Sequence, residues 1–465
     1  MLDGKLGLTC SAASGSIPST FWKQVKETKF MPLQQNTDHI QTTHIGSLPR
    51  PHDLLDLLKA KYASQPYDQA KLDATLAKSV TDSVRKQIDC GLEIVTDGEF
   101  SKPGFFTYIR ERFEGFESRP NQKLMLFQQE VAAFPEYYAQ YFKEAMLGGT
   151  VVTLVPVVCT GPVKYKGESY LKKDIANVKA AAKAAGVPDH HVFLPATAPS
   201  GVGINEYYKS DEEYFHALAG ALAQEYRAIV DAGILVQIDD PFLPDIFVDP
   251  HLDRPQMQRR AEIYTEATNA ALKGIPAEKI RFHTCYGINE GPRLYEAALA
   301  DIIKYVLKIK AGSYSFECAN PRHEHEYHLF ENVKVPDDKV LCPGVVTHAS
   351  NIVEHPELIA ERLMRFANLV GRENVMAGGD CGFSSQALYK TEVHPTVIWE
   401  KFKAMRQGAD LATKKLWGRG AKSAAGKSAR KATAGRKAAG ARKTAAGRKA
   451  ATGRKAASGK TRRHR

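Results

Sequence analysis

The chain contains little cysteine for its length, seven residues in 465, and these are not regularly spaced. This pattern excludes a disulfide framework as the basis of the fold, and the odd count suits a reducing compartment. No apolar run reaches the roughly 18–20 residues that a membrane span requires. Residues 1–38 lack the continuous apolar stretch of a secretory signal, so we expect a cytoplasmic protein without membrane contact.

Acidic residues are absent after Asp410, and residues 411–465 carry 19 lysines and arginines. The net charge of +12 therefore combines a mildly acidic part, residues 1–410, with a strongly basic tail. The tail repeats GRKAAT and GRKAAS and has too little apolar surface to fold, so we expect it to be disordered. Its charge predicts non-specific binding to nucleic acid or another polyanion, and a solubilising tail is the alternative.

Short apolar runs alternate with helix-like segments between residues 39 and 410, and residues 1–38 read as a poorly defined arm. This alternation predicts parallel strands joined by helices. No GxGxxG follows the first strand, which disfavours an open dinucleotide-binding sheet. We therefore expect an α/β fold, a (β/α)8 TIM barrel over 39–410, and a capped helix over 211–232. The sequence contains nine candidate strands, although the barrel has eight, so one is misread or lies outside the barrel. The nine runs are 40–46, 93–97, 150–158, 191–197, 234–239, 279–284, 312–317, 340–346 and 374–378.

Polar residues of chemical interest follow almost every one of these runs. In a (β/α)8 barrel the carboxyl ends of the strands converge on one face, where the active site is built. Residues distant in sequence can therefore meet there, and the set is Ser47, Asp97, Glu99, Asp239, Asp240, His283, Cys285, Glu317, Asp380 and Cys381.

A candidate metal site begins with His283 and Cys285, which point to one face of an extended segment. Cys381 adds a second thiolate and Glu317 a carboxylate, which together suit tetrahedral Zn²⁺. Such a site favours alkylation of a thiol, because zinc deprotonates a bound thiol and the thiolate is the nucleophile. The alternatives are a buried free thiol at Cys381 and an ion pair between Glu317 and an arginine such as Arg322.

Seven segments, in order along residues 40–400, resemble the catalytic barrel of cobalamin-independent methionine synthases. They are TTHIGSLPRP (42–51), VTDGEF (95–100), VQIDDP (236–241), HTCYG (283–287), SFE (315–317), PGVVTHASN (343–351) and GGDCGF (378–383).

The resemblance implies one zinc ion held by His283, Cys285, Glu317 and Cys381. It also implies that homocysteine is bound by the backbone of Ile45, Gly46 and Ser47 and by the carboxylates of Glu99 and Asp239. His348 matches the histidine that supplies a proton to the departing methyl donor, and a buried or loop histidine is the alternative.

The expected activity is zinc-dependent methyl transfer from a methyltetrahydrofolate-like donor to the thiol of homocysteine, forming methionine. With only about 40 residues before the barrel, the chain is closer to the single-barrel members of the family. A thiol alkyltransferase that uses a corrinoid methyl donor or a coenzyme M-type thiol therefore remains an alternative. An alternative of another class is a nucleic-acid-associated protein that acts through its tail.

The histidine-rich stretch NPRHEHEYHLF (320–330) is not a zinc-protease helix, because Tyr327 occupies the position of the second histidine. It is expected to be either a loop that faces the substrate or a polar loop over the barrel mouth.

Overall fold

The computed structural model describes residues 34–122, 126–146, 150–152, 154–287 and 290–418. The predicted arm and the predicted basic tail lie largely outside these ranges. The chain divides into two units, Met1–Thr413 and Lys414–Arg465, and the structure describes only residues 414–418 of the second. The fold described below is that of the first unit.

Parallel strands form the centre of the first unit. A six-stranded sheet has the order β3-β5-β6-β7-β8-β9, with each neighbouring pair parallel. The strands of the described chain are β1 (Phe113–Ser118), β2 (Val157–Tyr165), β3 (Phe193–Thr197), β4 (Ile204–Asn205), β5 (Leu235–Asp239), β6 (Ile280–His283), β7 (Ser313–Phe316), β8 (Val340–Val346) and β9 (Gly378–Gly379).

Isolated parallel bridges continue this sheet around a ring. Val192, next to β3, pairs with Val95, Ile94 pairs with Thr43, and Thr42 pairs with Ala377 beside β9. The ring therefore contains eight parallel segments, of which two make only bridges. This arrangement is of the TIM-barrel type, as the alternation of strands and helices predicts.

Of the nine predicted runs, the one over residues 150–158 lies outside the ring. β2 begins at the end of that run and pairs antiparallel with β1 and parallel with β4 in a separate three-stranded sheet. Val151, Leu154, Val157 and Val158 of this run are buried, so apolarity alone does not separate them from residues of barrel strands.

Helices follow most strands and cover the ring. The predicted helix over 211–232 is confirmed as Asp211–Asp231: the Ser210 hydroxyl accepts a hydrogen bond from the backbone N–H of Glu213, and Gly233 follows at φ 87°. The α-helices are α1 (His52–Tyr62), α2 (Gln69–Asp89), α3 (Ile109–Arg112), α4 (Gln128–Ala133), α5 (Pro135–Tyr141), α6 (Glu168–Ala184), α7 (Asp211–Asp231), α8 (Phe242–Asp245), α9 (Arg254–Ala271), α10 (Leu299–Val306), α11 (Pro356–Val370) and α12 (Pro395–Trp417).

Shorter helical turns lie between these elements. A π-helix follows α5, and the rest are 3₁₀ turns: Phe142–Met146, Asp189–His191, Pro199–Gly201, Ile246–Val248, Ala277–Lys279, Glu324–Glu331 and Arg372–Asn374. Within the described ranges, none of the helices combines the length and the apolar character that a bilayer crossing requires.

The interior of the ring contains a buried cation. The Arg281 guanidinium donates hydrogen bonds to the side chains of Gln237 and Thr43 and to the carbonyl of His44, and it lies 4.0 Å from the centre of the Phe193 ring. These contacts satisfy a charged group that burial would otherwise penalise. They also link β6 to β5, to β3 and to the segment that contains Thr43 and His44.

Candidate active site

Three metal-binding side chains meet at the carboxyl end of the strands. His283 ends β6, Cys285 follows two residues later, and Cys381 comes directly after the turn that leaves β9. One ring nitrogen of His283 and the two sulfur atoms lie within 4.8 Å of one another, and all three residues are buried. The two sulfur atoms are 3.2 Å apart.

The chemistry of these three groups fits a divalent cation. His283 Nδ1 contacts the Ser315 hydroxyl at 3.2 Å, whereas Nε2 is buried and has no hydrogen-bond partner in the described part of the chain. Burial, with a smaller effect of His348, lowers the pKa of His283 to about 3, so its imidazole is neutral. The hydrogen bond to Cys285 and burial raise the pKa of Cys381 well above its usual value. A neutral imidazole beside two thiols is a donor set that zinc prefers.

Three of the four predicted metal ligands line a cavity of about 370 Å³, including the part open to solvent, and Glu317 does not. Four of the predicted substrate residues line it, with Gly46 lying between two of them. The cavity is formed by Ile45, Ser47, Glu99, Phe105, Asp239, Pro241, His283, Cys285, Gly287, Cys381, Gly382 and Ser385. The ring has thus brought together residues from five distant parts of the sequence.

Backbone contacts fix the loop over residues 45–48. The Ser47 carbonyl accepts a hydrogen bond from Phe383 N, and Leu48 N donates to the carbonyl of Gly98. Gly46 has φ 142°, and a Cβ atom there would lie 2.7 Å from Pro195 Cγ. A side chain at position 46 would therefore disturb the wall of the cavity.

Two buried carboxylates give the cavity a negative side. Glu99 accepts a hydrogen bond at 3.1 Å from Lys102 Nζ, which also donates to the carbonyl of Pro195. Asp239 accepts one at 2.8 Å from the Gln237 amide. Burial, followed by the charge of the neighbouring Glu99, raises the pKa of Asp239 well above its usual value. A cationic group of a ligand would relieve this repulsion.

Glu317, the fourth metal ligand implied by the sequence resemblance, is bonded elsewhere in the structure. Its carboxylate accepts hydrogen bonds from Arg293 at 2.6 Å, from the Asn320 amide at 2.8 Å and from Tyr286 N at 3.0 Å. It lies in a second buried group with His348 and Asp380, whose ligand atoms are also within 4.8 Å of one another. The ion pair considered as an alternative is present, but its partner is Arg293 and not Arg322.

His348 lies in this second buried group with Glu317 and Asp380. Burial, followed by the charge of Arg293, lowers the pKa of His348 to about 4, so its imidazole is neutral near pH 7. Asp380 accepts hydrogen bonds at 2.7 Å from the backbone N–H groups of Cys318 and Ala319, which fixes the turn between β9 and Cys381.

The histidine-rich stretch forms the 3₁₀ turn Glu324–Glu331, preceded by a buried histidine. His323 bonds to Glu296 at 2.9 Å and to Glu326 at 2.7 Å, and its ring stacks on Tyr286 with centroids 4.1 Å apart. The stretch therefore supports Tyr286, which follows Cys285 in sequence.

Sequence reasoning missed several residues of the site. Lys102 and Arg293 each bond to a residue that the sequence singled out, yet neither stands at the end of an apolar run. The only sequence signal for Lys102 is its spacing of three from Glu99. Arg293 gives no such signal, because it lies 24 residues before its partner.

The catalytic-domain model of the cobalamin-independent synthases matches residues 40–400 of this chain. The chain belongs to this family. It is a methyltransferase, as its relatives are.

The curated relatives are distant in sequence, and the archaeal ones are matched over most of their length. Methionine synthases of Sulfolobus acidocaldarius and Saccharolobus islandicus (strain Y.N.15.51) are each 24% identical to this synthase-family chain. The matches cover 74% and 81% of the chain and 85% and 96% of the relatives. A 5-methyltetrahydropteroyltriglutamate–homocysteine methyltransferase of Thermotoga petrophila is 22% identical over 74% of the chain, but the match covers only 41% of that enzyme.

Two solved structures share the fold of this family member. A B12-independent methionine synthase from Shewanella sp. W3-18-1, in complex with selenomethionine, is 19% identical with a TM-score of 0.62. A putative B12-independent methionine synthase from Listeria monocytogenes is 21% identical with a TM-score of 0.56. Each match covers 81% of the chain and 99% of the solved structure.

Proposed function

We propose that this protein transfers a methyl group from a methyltetrahydrofolate-like donor to the thiol of homocysteine, forming methionine. One observation carries the proposal: His283, Cys285 and Cys381 present a nitrogen and two sulfur atoms within 4.8 Å of one another. These atoms border the same cavity as the Glu99 and Asp239 carboxylates. A site for thiol chemistry and a site for an amino group thus share one small space.

We infer that His283, Cys285 and Cys381 would hold zinc. Bound zinc keeps a thiol as its thiolate, which is the form that accepts a methyl group. The orphaned Nε2 of His283 supports this assignment, because a buried ring nitrogen without a partner carries a desolvation penalty that a metal bond would remove. Glu317 as the fourth ligand remains a prediction.

The cavity is suited to the amino-acid end of homocysteine. Glu99 and Asp239 would bind its ammonium group, and the backbone of Ile45, Gly46 and Ser47 would bind its carboxylate. Coenzyme M carries a sulfonate and no ammonium group, so two buried carboxylates disfavour it. This charge arrangement supports homocysteine over the alternative thiol.

His348 would supply a proton to the donor nitrogen as the bond from nitrogen to the methyl carbon breaks and the bond from sulfur to carbon forms. Burial holds its imidazole neutral in the described state, so this role requires that donor binding raise its pKa. The Glu317 and Asp380 carboxylates lie close enough to stabilise the protonated ring.

The zinc content of the purified chain tests the metal site. We expect about one zinc per chain in the wild type and almost none in the Cys285→Ala variant, measured by elemental analysis without chelator. Cys90→Ala is the matched control, because Cys90 is also a buried thiol but lies in a helix cap away from the cavity. Absence of zinc from the wild type would refute the thiol-activation mechanism.

A donor assay on the zinc-loaded chain separates the remaining alternatives. Methionine formed from homocysteine with methyltetrahydrofolate supports the proposal. Product formed only with a methylcorrinoid, or only with coenzyme M as the thiol, would replace the donor or the acceptor and leave the thiol chemistry in place.

A further inference from the structure

Glu99, which is proposed to bind the ammonium group of homocysteine, has a strained backbone. Its φ is 58°, in the left-handed region that a residue with a Cβ atom rarely adopts. Strain of this kind persists only where surrounding contacts compensate for it, and it is found preferentially at functional sites. The side chain of Glu99 is buried and lines the cavity beside the metal-binding cysteines, so its direction depends on what holds this backbone in place.

Two buried side chains hold Glu99 at its backbone N–H and at its carbonyl. Asp97 Oδ1 accepts a hydrogen bond from Glu99 N at 2.9 Å, and Arg50 donates one at 2.7 Å to the Glu99 carbonyl. The same Arg50 nitrogen donates at 2.8 Å to the carbonyl of Lys102, whose ammonium group bonds to the Glu99 carboxylate at 3.1 Å. Hydrogen bonds that involve a charged group are roughly twice as strong as neutral ones, so these contacts compensate for the strain.

Arg50 also bonds to a second segment of the cavity wall. Its other terminal nitrogen donates to the carbonyls of Ser384 and Gln386 at 3.1 and 3.3 Å, and these residues flank Ser385, which lines the cavity. Ser384 N in turn donates to the Ser47 hydroxyl at 3.3 Å. Arg50 therefore connects the residue proposed for the substrate ammonium group with the loop proposed for the substrate carboxylate.

These two recognition elements lie close to each other. A Cβ atom on Gly46, in the same loop as Ser47, would lie 3.1 Å from Glu99 Oε1. The Glu99 carboxylate therefore lies against the loop, and a displacement of either segment would change the spacing between them. An α-amino acid carries its ammonium and carboxylate groups on one carbon atom, so a short and fixed spacing suits it.

We propose that Arg50 is a positioning residue, with Asp97 as its counterpart at Glu99 N. It fixes the spacing between the ammonium site and the carboxylate site, and this spacing makes the cavity selective for a thiol that is also an α-amino acid. Neither Arg50 nor Asp97 lines the cavity, so both act through the residues that they hold. The inference rests on the proposed function, because it takes homocysteine as the acceptor.

Thiol binding to the zinc-loaded full chain, measured by calorimetry, tests the inference on Arg50→Lys. Lysine keeps the charge but has a single nitrogen, which cannot replace the two diverging nitrogens of the guanidinium group. We expect the Kd of homocysteine to rise about tenfold, the size of one weakened hydrogen bond to a charged group. The Kd of 1-propanethiol, which lacks both amino-acid groups, should not change.

Two further thiols show whether the spacing itself is lost. 3-Aminopropane-1-thiol lacks only the carboxylate of homocysteine, and 4-mercaptobutanoate lacks only its ammonium group. The wild type should bind homocysteine more tightly than either thiol, because both of its sites are then occupied at once. Arg50→Lys should bind homocysteine no more tightly than the better of these two thiols.

Asp97 offers a matched pair of variants. Asp97→Ala removes the acceptor of Glu99 N and should reduce the preference for homocysteine as Arg50→Lys does. Asp97→Asn keeps an Oδ1 acceptor at the same place and should retain the preference.

Arg362→Lys is the control for the loss of a buried arginine. Arg362 also donates to two backbone carbonyls, those of Val345 and Ala319, and neither residue lines the cavity. This variant should be less stable than the wild type and should keep its preference for homocysteine over 1-propanethiol.

Steady-state kinetics separate positioning from a merely structural role. In Arg50→Lys the KM for homocysteine should rise while kcat changes little, because the lost interaction stabilises the bound substrate and the transition state equally. A variant that is only less completely folded would show a lower kcat and an unchanged KM.

The outcomes distinguish this inference from the proposed function. If the wild type binds homocysteine no more tightly than 1-propanethiol, the proposed function fails. If the wild type shows the preference and Arg50→Lys keeps it, the role of Arg50 is overturned. Should Arg50→Lys not fold, the Asp97 pair still decides. A preference that is lost in Asp97→Ala and kept in Asp97→Asn supports the inference, and an equal preference in both variants contradicts it.

Discussion

The predicted metal ligands differ in how many of their polar atoms have hydrogen-bond partners within the protein. His283 has one bonded and one free ring nitrogen, whereas Glu317 has both oxygens bonded within the protein. A free buried donor atom is costly unless a ligand completes it, and a carboxylate with three donors needs no further partner. The sequence predicts both residues as zinc ligands. In the structure, His283 has an unpaired nitrogen, whereas the Glu317 carboxylate already accepts hydrogen bonds from the protein.

At this scale, His348→Asn tests the proton-transfer role. We expect kcat to fall by about 10²–10⁴ while homocysteine binding changes little, because asparagine retains hydrogen bonds but cannot transfer a proton. Steady-state kinetics together with direct homocysteine titration provide the measurement. Equal losses in turnover and in binding would instead make His348 a positioning residue.

At the scale of elements, helix α12 supports the loop that carries His348. Lys401 lies on α12 and is fully buried, and it bonds to both oxygens of Glu354 at 3.1 and 3.0 Å. Glu354 in turn accepts a hydrogen bond at 2.8 Å from Thr347 N, directly before His348. A helix far along the chain thus closes the loop that follows β8.

Lys401→Met should destabilise the fold by roughly 3 kcal/mol, because it leaves the buried Glu354 carboxylate without its cation. Urea unfolding of the variant and the wild type measures this loss. Lys403→Met on the same helix is the matched control, since Lys403 and Glu400 form an exposed pair. A loss for Lys401→Met no larger than that for the control would show that Glu354 does not depend on Lys401 for its stability.

At the scale of the whole molecule, buried titratable groups tie stability to pH. Burial alone would lower the pKa of His323, but its bonds to Glu296 and Glu326 outweigh burial and raise the pKa to about 9. A pKa raised on folding stabilises the protein fully below the unfolded value of about 6.5. That contribution is lost as the pH rises through the folded value.

His323→Gln should therefore lower the free energy of unfolding most near about pH 6. The difference from the wild type should shrink toward about pH 9.5. Unfolding free energies of variant and wild type across this range supply the measurement. His328→Gln, at an exposed position of the same turn, is the control and should show no such trend. A constant deficit would mean that His323 acts only through its packing on Tyr286.

The basic tail is a second property of the whole chain, and it lies outside the described residues. Neither the comparisons nor the described fold supports nucleic-acid binding, so the prediction rests on charge alone. The predicted boundary at residue 411 falls inside α12, which extends to Trp417. A deletion should therefore begin after Gly418.

Deletion of residues 419–465 removes 17 lysines and arginines and no acidic residue. We expect it to abolish salt-sensitive retention on DNA, because that binding arises from counterion release, and to leave turnover unchanged. Retention measured at several salt concentrations, with a parallel activity assay, is the test. Lost turnover would show that the tail serves the active site.

Much of the fold and the family could be predicted from the sequence. The alternation of apolar runs and helices indicated a barrel, and the ordered motifs indicated the family, because both depend on local patterns. Apolarity could not show that the run near residues 150–158 lies outside the ring, since its buried residues are as apolar as those of a barrel strand. Helix α7 was predicted to within one residue, because its cap and its terminal glycine are local signals.

The sequence by itself determined which residues are candidates for the chemistry, because most of them lie at the end of an apolar run. Only the tertiary structure decided which of them meet. His283, Cys285 and Cys381 converge because parallel strands bring their carboxyl ends to one face of the ring. Glu317 lies on that same face, and its carboxylate accepts a hydrogen bond from Arg293. Arg293 lies in a loop that no sequence pattern singled out. The choice between two partners for one buried charge depends on distances in space, and these are not encoded in any local pattern.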